Sequence, residues 1–235
     1  MLLVALLLTL SVAPAAFAAI RQAPIAALSG PISDEQTTTY WAYSVKVTPI
    51  HAAPRPSAPV VGSTHLWTED GFPENYLVLA QEVYPSITWF EIRIPGRPNG
   101  RTGWVPEQAL GNLNATHEHL VLDERHLRLT LYRWGRRIFS AAVGIGSPAT
   151  PTPTGHFWIR ERFRSSDPFY GPYAFGTSDY STLSEWPHGG VVGIHGTNEP
   201  WLIPGRPSHG CIRLKNSADT RLWQLLGVGT PLTVN

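Results

Sequence analysis

Short runs of alternating apolar and polar residues account for most of the chain after residue 38. Between residues 39 and 113, five of them are rich in Val, Thr, Ile and aromatic residues, and clusters of Pro, Gly and Asn separate them. They read YWAYSVKV, PVVGSTHLW, NYLVLAQEV, TWFEIRI and GRTGWV. Such runs favour β-strands, and the spacing between them is typical of compact all-β domains. The pattern predicts a small β-barrel over residues 39–113.

A second β-rich region follows, over residues 114–235, after the turn-like sequence GNLN. Leu127, Leu129 and Leu131 alternate with more polar residues, which is the period of a strand with one buried face. Trp134-Gly135 fits the turn of a hairpin into the next run. We expect this region to form a mainly antiparallel sheet.

Two segments of this region depart from the strand pattern. Residues 161–190 are long, aromatic and broken by Gly and Pro, which is typical of a lid or a binding loop. Near the end, Asn216 or Ser217 can cap a short helix that Gly227 terminates. Its apolar positions share one face: Ala218, Leu222, Leu225 and Leu226. The predicted fold class is therefore mainly β, a small barrel followed by a β-rich domain with one C-terminal helix.

Composition and charge narrow the possible functions. Hydrophobic residues make up 43% of the chain and charged residues 15%, and the formal net charge is +1. This composition excludes wholesale disorder. Basic residues form no extended patch of the kind that neutralises phosphates, so we expect no nucleic-acid partner.

The N-terminal residues have the features of an export signal. Leu2 to Val12 form an apolar run too short to span a membrane, and Ala16-Phe17-Ala18 fits a signal-peptidase site. We predict a signal peptide over 1–18 and a linker over 19–38. The mature protein is then exported to the periplasm or cell wall, with no transmembrane segment after processing.

Cys211 is the only cysteine of the chain. It has no partner for an intramolecular disulfide, so in an oxidising compartment we expect it to be buried or used. By strand alternation, Cys211 and Arg213 share one face, and His195 lies on the polar face of a preceding strand. If these strands are neighbours, the three side chains line one surface.

This surface suggests cysteine acyl transfer. His195 can take the thiol proton and later protonate a leaving amine, with His209 as a supporting group. The amides of Gly210 and Cys211 can form an oxyanion hole, and Arg213 can hold a substrate carboxylate. A lone cysteine is more often an inert buried residue, but here it is combined with histidines and a glycine in an exported chain.

Several motifs resemble those of the L,D-transpeptidase (YkuD) family of bacterial cell-wall enzymes, over residues 117–235. They are Ile194-His195-Gly196-Thr197, Ser208-His209-Gly210-Cys211-Ile212-Arg213, Pro151-Thr152-Pro153-Thr154-Gly155, Gly171-Pro172-Tyr173 and Gly229-Thr230-Pro231. Upstream, Trp89 to Arg93 and Gly100 to Pro106 resemble the closing strands of bacterial SH3-like domains, which often accompany such enzymes.

The resemblance implies that Cys211 attacks the third residue of a peptidoglycan tetrapeptide stem, releases D-alanine and forms a thioester. An amine of another stem then resolves the thioester into a 3-3 cross-link. Carboxypeptidase activity, in which water is the acceptor, and attachment of a protein to the wall are alternatives. Tyr173 and His188 are candidate substrate contacts. Many members have Asn at the position of Arg213. Some members have Ser at the position of Gly196, and because glycine has no side chain, a backbone carbonyl is expected to orient His195 in this chain.

Two further alternatives belong to other functional classes. His188, His195, His209 and Cys211 could hold zinc, although no metalloprotease spacing such as H-E-x-x-H occurs. A wall-binding protein without activity is the second. The favoured hypothesis needs no cofactor and no metal, and its partners are peptidoglycan peptide stems.

Overall fold

The structure is a computed structural model that describes residues 28–185 and 187–235, without the side chains of residues 187 and 188. The predicted signal peptide lies outside the described residues. No helix in the described part of the chain has the length and apolar character needed to cross a membrane. Strands make up most of its regular structure and form two sheets, so the expectation of a mainly β fold with one helix is confirmed.

The first sheet contains the strands of the N-terminal half in the order β4-β3-β7-β6-β5-β2-β8, with β1 added beside β5. The strands are β1 (Gly30–Pro31), β2 (Thr39–Tyr43), β3 (Pro49–His51), β4 (Val60–Ser63), β5 (Asn75–Tyr84), β6 (Ile87–Arg93), β7 (Thr102–Pro106) and β8 (Asn114–Thr116). The strands of this sheet pack around an apolar core of their own, which includes Ile50, Val78, Ile92 and Val105.

The second sheet has the order β11-β10-β9-β18-β13-β14-β15-β17-β12-β16. Its strands are β9 (Glu118–Asp123), β10 (Arg128–Arg133), β11 (Arg136–Ala142), β12 (Gly144–Gly146), β13 (Gly155–Arg164), β14 (Tyr173–Tyr180), β15 (Val191–His195), β16 (Gly205–Ser208), β17 (Ile212–Arg213) and β18 (Pro231–Val234). Most pairs are antiparallel, as predicted, but β12–β16, β15–β17 and β18–β9 are parallel.

The helices are short. The α-helix α1 spans Asn216–Trp223, and 3-10 turns occupy Glu107–Ala109, Pro168–Tyr170, Pro187–Gly190 and Pro200–Leu202. α1 ends four residues before the predicted stop at Gly227. The predicted N-caps, Asn216 and Ser217, lie inside the helix, and the observed N-cap is Lys215, whose side chain makes no capping hydrogen bond. The reason is visible at Asn216, whose Oδ1 accepts from the Thr197 amide at 2.8 Å instead.

The predicted domain boundaries do not coincide with the observed limits of the first sheet. β8 pairs with β2, so the first sheet extends to Thr116, three residues past the predicted boundary. Residues 28–38, predicted as part of a linker, are packed on the first sheet: β1 pairs with β5, and Glu35 forms an ion pair with Arg93 at 2.5 Å. This segment is therefore not a free tether.

The hairpin between β10 and β11 has the predicted turn. Trp134 and Gly135 have φ of 53° and 70°, as a two-residue hairpin turn with positive φ at both positions requires. Leu129 and Leu131 are buried in the second core.

The predicted long loop at 161–190 is wrong for much of its length. β13 continues to Arg164, and β14 is a central strand. The sequence hides β14 because the polar residues of this strand are buried rather than exposed. Asp179, for example, accepts from Asn99 in the loop between β6 and β7 at 3.0 Å.

The two sheets are joined by a buried polar interface. A bulge in β13 between Ile159 and Glu161 inserts Arg160, whose side chain is 3% exposed. Its guanidinium donates to both oxygens of buried Glu74 and to Glu69 at 2.9 Å. Glu69 and Glu74 lie in a hairpin over residues 66–74, between β4 and β5, which the pairing of Trp67 with Pro73 closes. We call this segment the 66–74 hairpin.

Candidate active site

Three neighbouring strands of the second sheet and the residue just before β17 align one residue each into a row. The register pairs Ile212 with Ile194, which places Cys211 beside Gly193; Gly193 pairs with Gly176, and Gly176 with Glu161. All four line one cavity of about 250 Å³. We call Cys211, Gly193, Gly176 and Glu161 the cleft row. Because its two inner members have no side chains, the row forms a trough between a thiol and a carboxyl group.

Cys211 is partly exposed at one end of this trough. The Gly193 amide donates to its Sγ at 3.4 Å. Burial raises the pKa of the Cys211 thiol above its ordinary value, although this hydrogen bond and Arg213 act in the opposite direction. The resting group is therefore a thiol that needs a base for nucleophilic attack.

Hydrogen bonds from side chains hold the turn before Cys211 in place. Ser208 Oγ donates to the Cys211 carbonyl at 2.6 Å and accepts from the Gly210 amide at 3.2 Å. Thr152, of the Pro-Thr-Pro-Thr-Gly motif, donates to the Gly210 carbonyl at 2.6 Å. Gly210 has φ +128°, which favours glycine. The Gly210 amide, predicted for the oxyanion hole, thus donates within its own turn in this structure.

His195 lies beside the thiol on the adjacent strand, as the sequence predicted. A Cβ placed on Gly193 would be 3.8 Å from His195 Cδ2 and 3.9 Å from Cys211 Sγ, so both side chains border the same point. Nδ1 lies 2.6 Å from the Gly196 carbonyl. A carbonyl only accepts, so Nδ1 carries the hydrogen and Nε2 is left as the base. This is the expected kind of orienting group, a backbone carbonyl.

His195 is 2% exposed, and this burial lowers its pKa to about 4. The imidazole is therefore neutral near pH 7 and able to accept a proton. Gly196 has its own reason to be glycine: a Cβ there would overlap Asn216 Oδ1, which binds the Thr197 amide.

Two aromatic residues that the sequence analysis did not single out complete this end. The Tyr170 ring lies edge-on to His195 with centroids 4.9 Å apart, and Phe169 lies 6.1 Å from it. Both come from the turn before Gly171, where a Cβ would collide with the Gly196 backbone. The Gly-Pro-Tyr motif was the available signal, because it requires this close approach.

Arg213 is placed differently from its predicted role. It shares the face of Cys211, but it is 6% exposed and donates to Glu199 at 3.0 Å, with its guanidinium 4.8 Å from the Phe169 ring. These contacts hold the guanidinium against Glu199 and Phe169, and Arg213 is not among the residues that line the cavity.

Tyr173 and His209, the other predicted residues whose side chains are described, do not line the cavity. Tyr173 stacks on Trp223 of α1, with ring centroids 4.5 Å apart, and is not among the cavity-lining residues. His209 is exposed. The His188 side chain lies outside the described residues. Tyr170 therefore takes the position for which Tyr173 was predicted.

The far end of the trough is acidic. Glu161 is 4% exposed, accepts from Thr68 Oγ1 and lies over Gly176, where an added Cβ would overlap its Oε1. Burial, and then its hydrogen bond with Asp70, raise the pKa of Glu161 to about 8. Asp70 also lines the cavity and belongs to the 66–74 hairpin. Sequence analysis missed both residues, since nothing local marks them.

The described side chains, which do not include that of His188, hold no group of three or more His, Cys, Asp or Glu positioned for a metal ion.

Residues 117–234 match the sequence profile of the YkuD family, described as the L,D-transpeptidase catalytic domain. The chain is 32% identical over 144 residues to YkuD of Bacillus subtilis, a protein named as an L,D-transpeptidase, covering 61% of this chain and 74% of that protein. It is 29% identical over 153 residues to YbiS of Escherichia coli K12, named likewise, covering 57% and 49%. It thus spans about half the length of that second relative.

Similar solved structures include the catalytic domain of an Enterococcus faecium L,D-transpeptidase, at 23% identity and a TM-score of 0.40, covering 50% of this chain and 95% of that one. An L,D-transpeptidase from Mycobacterium smegmatis matches at 16% identity and a TM-score of 0.45, covering 83% and 99%.

Proposed function

The chain belongs to the family of L,D-transpeptidase catalytic domains, and we propose that it is a peptidoglycan L,D-transpeptidase that forms 3-3 cross-links through a thioester on Cys211. The observation that carries this proposal is the pairing of a cavity-lining thiol with a neutral, buried imidazole whose Nε2 is left as a base. We further propose that the protein is exported and meets peptide stems in the cell envelope.

The first half of the reaction acylates the enzyme. Cys211 Sγ gives its proton to His195 Nε2 and bonds to the carbonyl carbon of the third stem residue. The bond from that carbon to the nitrogen of D-alanine then breaks, and the imidazolium returns the proton to the departing amine. The Gly193 amide stabilises the sulfur as the proton leaves, because it already donates to Sγ.

The tetrahedral oxygen needs donors of its own. The Cys211 amide remains our candidate for one of them. The Gly210 amide would serve only if it exchanged Ser208 Oγ for the substrate oxygen. In the second half, an acceptor amine gives a proton to His195 and bonds to the thioester carbon, and the C–S bond breaks to restore the thiol.

We also propose the predicted division into two domains: residues 39–113, SH3-like, to whose sheet β1 and β8 are added, and a catalytic domain that follows. The separate cores of the two sheets support this division.

The test is mass spectrometry of the products from disaccharide tetrapeptides incubated with the protein lacking residues 1–18. Dimers with loss of one alanine per link support the transpeptidase, and tripeptide monomers alone would make it a carboxypeptidase. Unchanged muropeptides with wild-type protein would refute both. Cys211→Ala, with an unchanged circular dichroism spectrum, is the matched control and should leave the substrate intact.

A further inference from the structure

We infer that Asn216, the first residue of α1, is a positioning residue for the base, because its side-chain oxygen holds the peptide group whose carbonyl orients His195. The inference deepens the proposed function and rests on it, since it takes His195 as the group that accepts the thiol proton. Cys211 and His195 act on the substrate, whereas Asn216 acts only through the peptide group between Gly196 and Thr197.

One peptide group links Asn216 to His195. The carbonyl of Gly196 and the amide of Thr197 belong to the same planar unit. The carbonyl accepts from His195 Nδ1 at 2.6 Å, and the amide donates to Asn216 Oδ1 at 2.8 Å. Because the unit is planar, the bond at its amide end fixes the direction in which its carbonyl points. Asn216 therefore sets the orientation of the group that orients the imidazole.

The two hydrogen bonds also strengthen each other. Donation from a peptide nitrogen and acceptance at its oxygen favour the same charge-separated resonance form, so the bond to Asn216 makes the Gly196 carbonyl a better acceptor. The gain is greatest when the ring is an imidazolium, because a charged donor forms a stronger bond. Burial and Arg213 lower the pKa of His195, and the hydrogen bond to Gly196 acts in the opposite direction. Asn216 thus supports the protonated state through which His195 passes during acylation.

The place of Asn216 in α1 gives no local reason for an asparagine. Asparagine is a weak helix former whose usual advantage is at the N-cap. Here the N-cap is Lys215, and Asn216 lies one residue inside the helix and is exposed as a whole. The helix gains neither a cap nor buried apolar surface from this side chain. The bond to Thr197 is the interaction that accounts for it.

Two glycines make room for the Asn216 oxygen. A Cβ on Gly196 would overlap it, and a Cβ on Gly171 would lie 2.5 Å from it. Gly171 follows the turn that carries Tyr170 to the His195 ring, with ring centroids 4.9 Å apart. Asn216 Oδ1 therefore lies where the two turns beside His195 meet α1.

Asp219 lies one helical turn after Asn216, on the same face of α1. Its Oδ2 accepts from the Tyr173 amide at 3.1 Å, in the segment that follows Gly171. The helix thus bonds through Asn216 to the turn that carries the base, and through Asp219 to the turn that packs against it. Of the two bonds, the one from Asn216 reaches the peptide group that His195 contacts.

The spectroscopic test observes the hydrogen on His195 Nδ1. In protein made with isotope-labelled histidine, this buried hydrogen should give a downfield resonance that His195→Gln removes. Asn216→Ala should move the resonance upfield, because a weaker carbonyl acceptor polarises the N–H less. Asn216→Asp keeps an oxygen for the Thr197 amide and should leave the resonance downfield. Ser217→Ala, at the next exposed residue of α1, is the matched control and should not move it.

The kinetic test measures acylation of Cys211 by a tetrapeptide donor. Asn216→Ala should lower the maximal rate about 10- to 100-fold and leave the half-saturating donor concentration within about threefold, because the lost bond supports proton transfer rather than donor binding. Asn216→Asp should retain at least about a third of the wild-type rate, and Ser217→Ala all of it. Equal losses in Asn216→Asp and Asn216→Ala, or a change confined to the half-saturating concentration, would overturn the inference.

The two readouts separate the role of Asn216 from the proposed function. If the wild type is not acylated, the proposed function fails, and the response of the His195 resonance to Asn216→Ala still decides the positioning role. If the wild type is acylated but Asn216→Ala leaves the resonance in place, the positioning role fails and the proposed function stands.

Discussion

The two ends of the cleft are built by different parts of the chain. At the nucleophile end, His195 and Cys211 come from adjacent strands within one short segment, and the bonds that position them are local. At the acidic end, Glu161 of the second sheet meets Asp70 of the 66–74 hairpin. The nucleophile end is therefore encoded in a contiguous motif, whereas the acidic end depends on how the 66–74 hairpin packs against the second sheet.

The largest expected effect is at the nucleophile end. His195→Ala removes the group that accepts the thiol proton, and we expect acylation by a tetrapeptide to slow by about 10²- to 10⁴-fold. Stopped reactions read by intact mass measure the rate. His209→Ala is the comparison, because His209 is exposed. A greater loss from His209→Ala than from His195→Ala would reverse the assignment of the base.

At the acidic end, the expected effect is on stability. Arg160→Met leaves the buried carboxylate of Glu74 without its cation, which we expect to lower the free energy of unfolding by about 3–5 kcal/mol. Chemical denaturation measures it. Arg206→Met breaks a more exposed pair with Glu124, 3.4 Å apart, and should cost less than about 1 kcal/mol. Equal losses would show that the interface does not fix the 66–74 hairpin.

Filling the trough between the ends should matter less. A methyl group on Gly193 would make ordinary contacts with His195 and Cys211, so Gly193→Ala should fold normally. It would displace the substrate chain, and we expect kcat/KM for acylation to fall about 10- to 100-fold. Gly62→Ala, whose added Cβ would lie 3.6 Å from Ile50 Cδ1, is the matched substitution elsewhere. Undiminished acylation in Gly193→Ala would place the substrate outside the trough.

The last prediction concerns how the reactivity of the Cys211 thiol changes with pH. Burial raises the pKa of Cys211 and lowers that of His195, so both favour the neutral pair over thiolate and imidazolium. The rate of alkylation by iodoacetamide should then rise about tenfold per pH unit between pH 6 and 8, as the thiolate fraction does. A rate that is already constant across this range would indicate a preformed ion pair.

The same contrast explains what the sequence could predict. Strand alternation correctly placed His195 beside Cys211, because these positions depend on neighbours on the same or the next strand. The turn at Trp134 was predictable for the same reason.

The misses have tertiary causes. The sequence does not mark β14 as a strand, because buried Thr177 and Asp179 bond to other segments and no alternation of polar and apolar residues results. Arg213 pairs with Glu199 across a loop, and Tyr170 reaches His195 through a close approach of two glycine-containing turns. Asp70 lies in the 66–74 hairpin, outside the sheet whose residues line the cavity with it.

The central claim is that Cys211 carries the acyl group, and the intact mass of the protein trapped with a tetrapeptide donor in the absence of an acceptor tests it most directly. We predict an adduct equal to the donor less D-alanine, located by peptide mapping to Cys211, sensitive to hydroxylamine as a thioester is, and missing from Cys211→Ala. An unmodified Cys211 in protein that nevertheless turns over the donor, or the same adduct on Cys211→Ala, would contradict it.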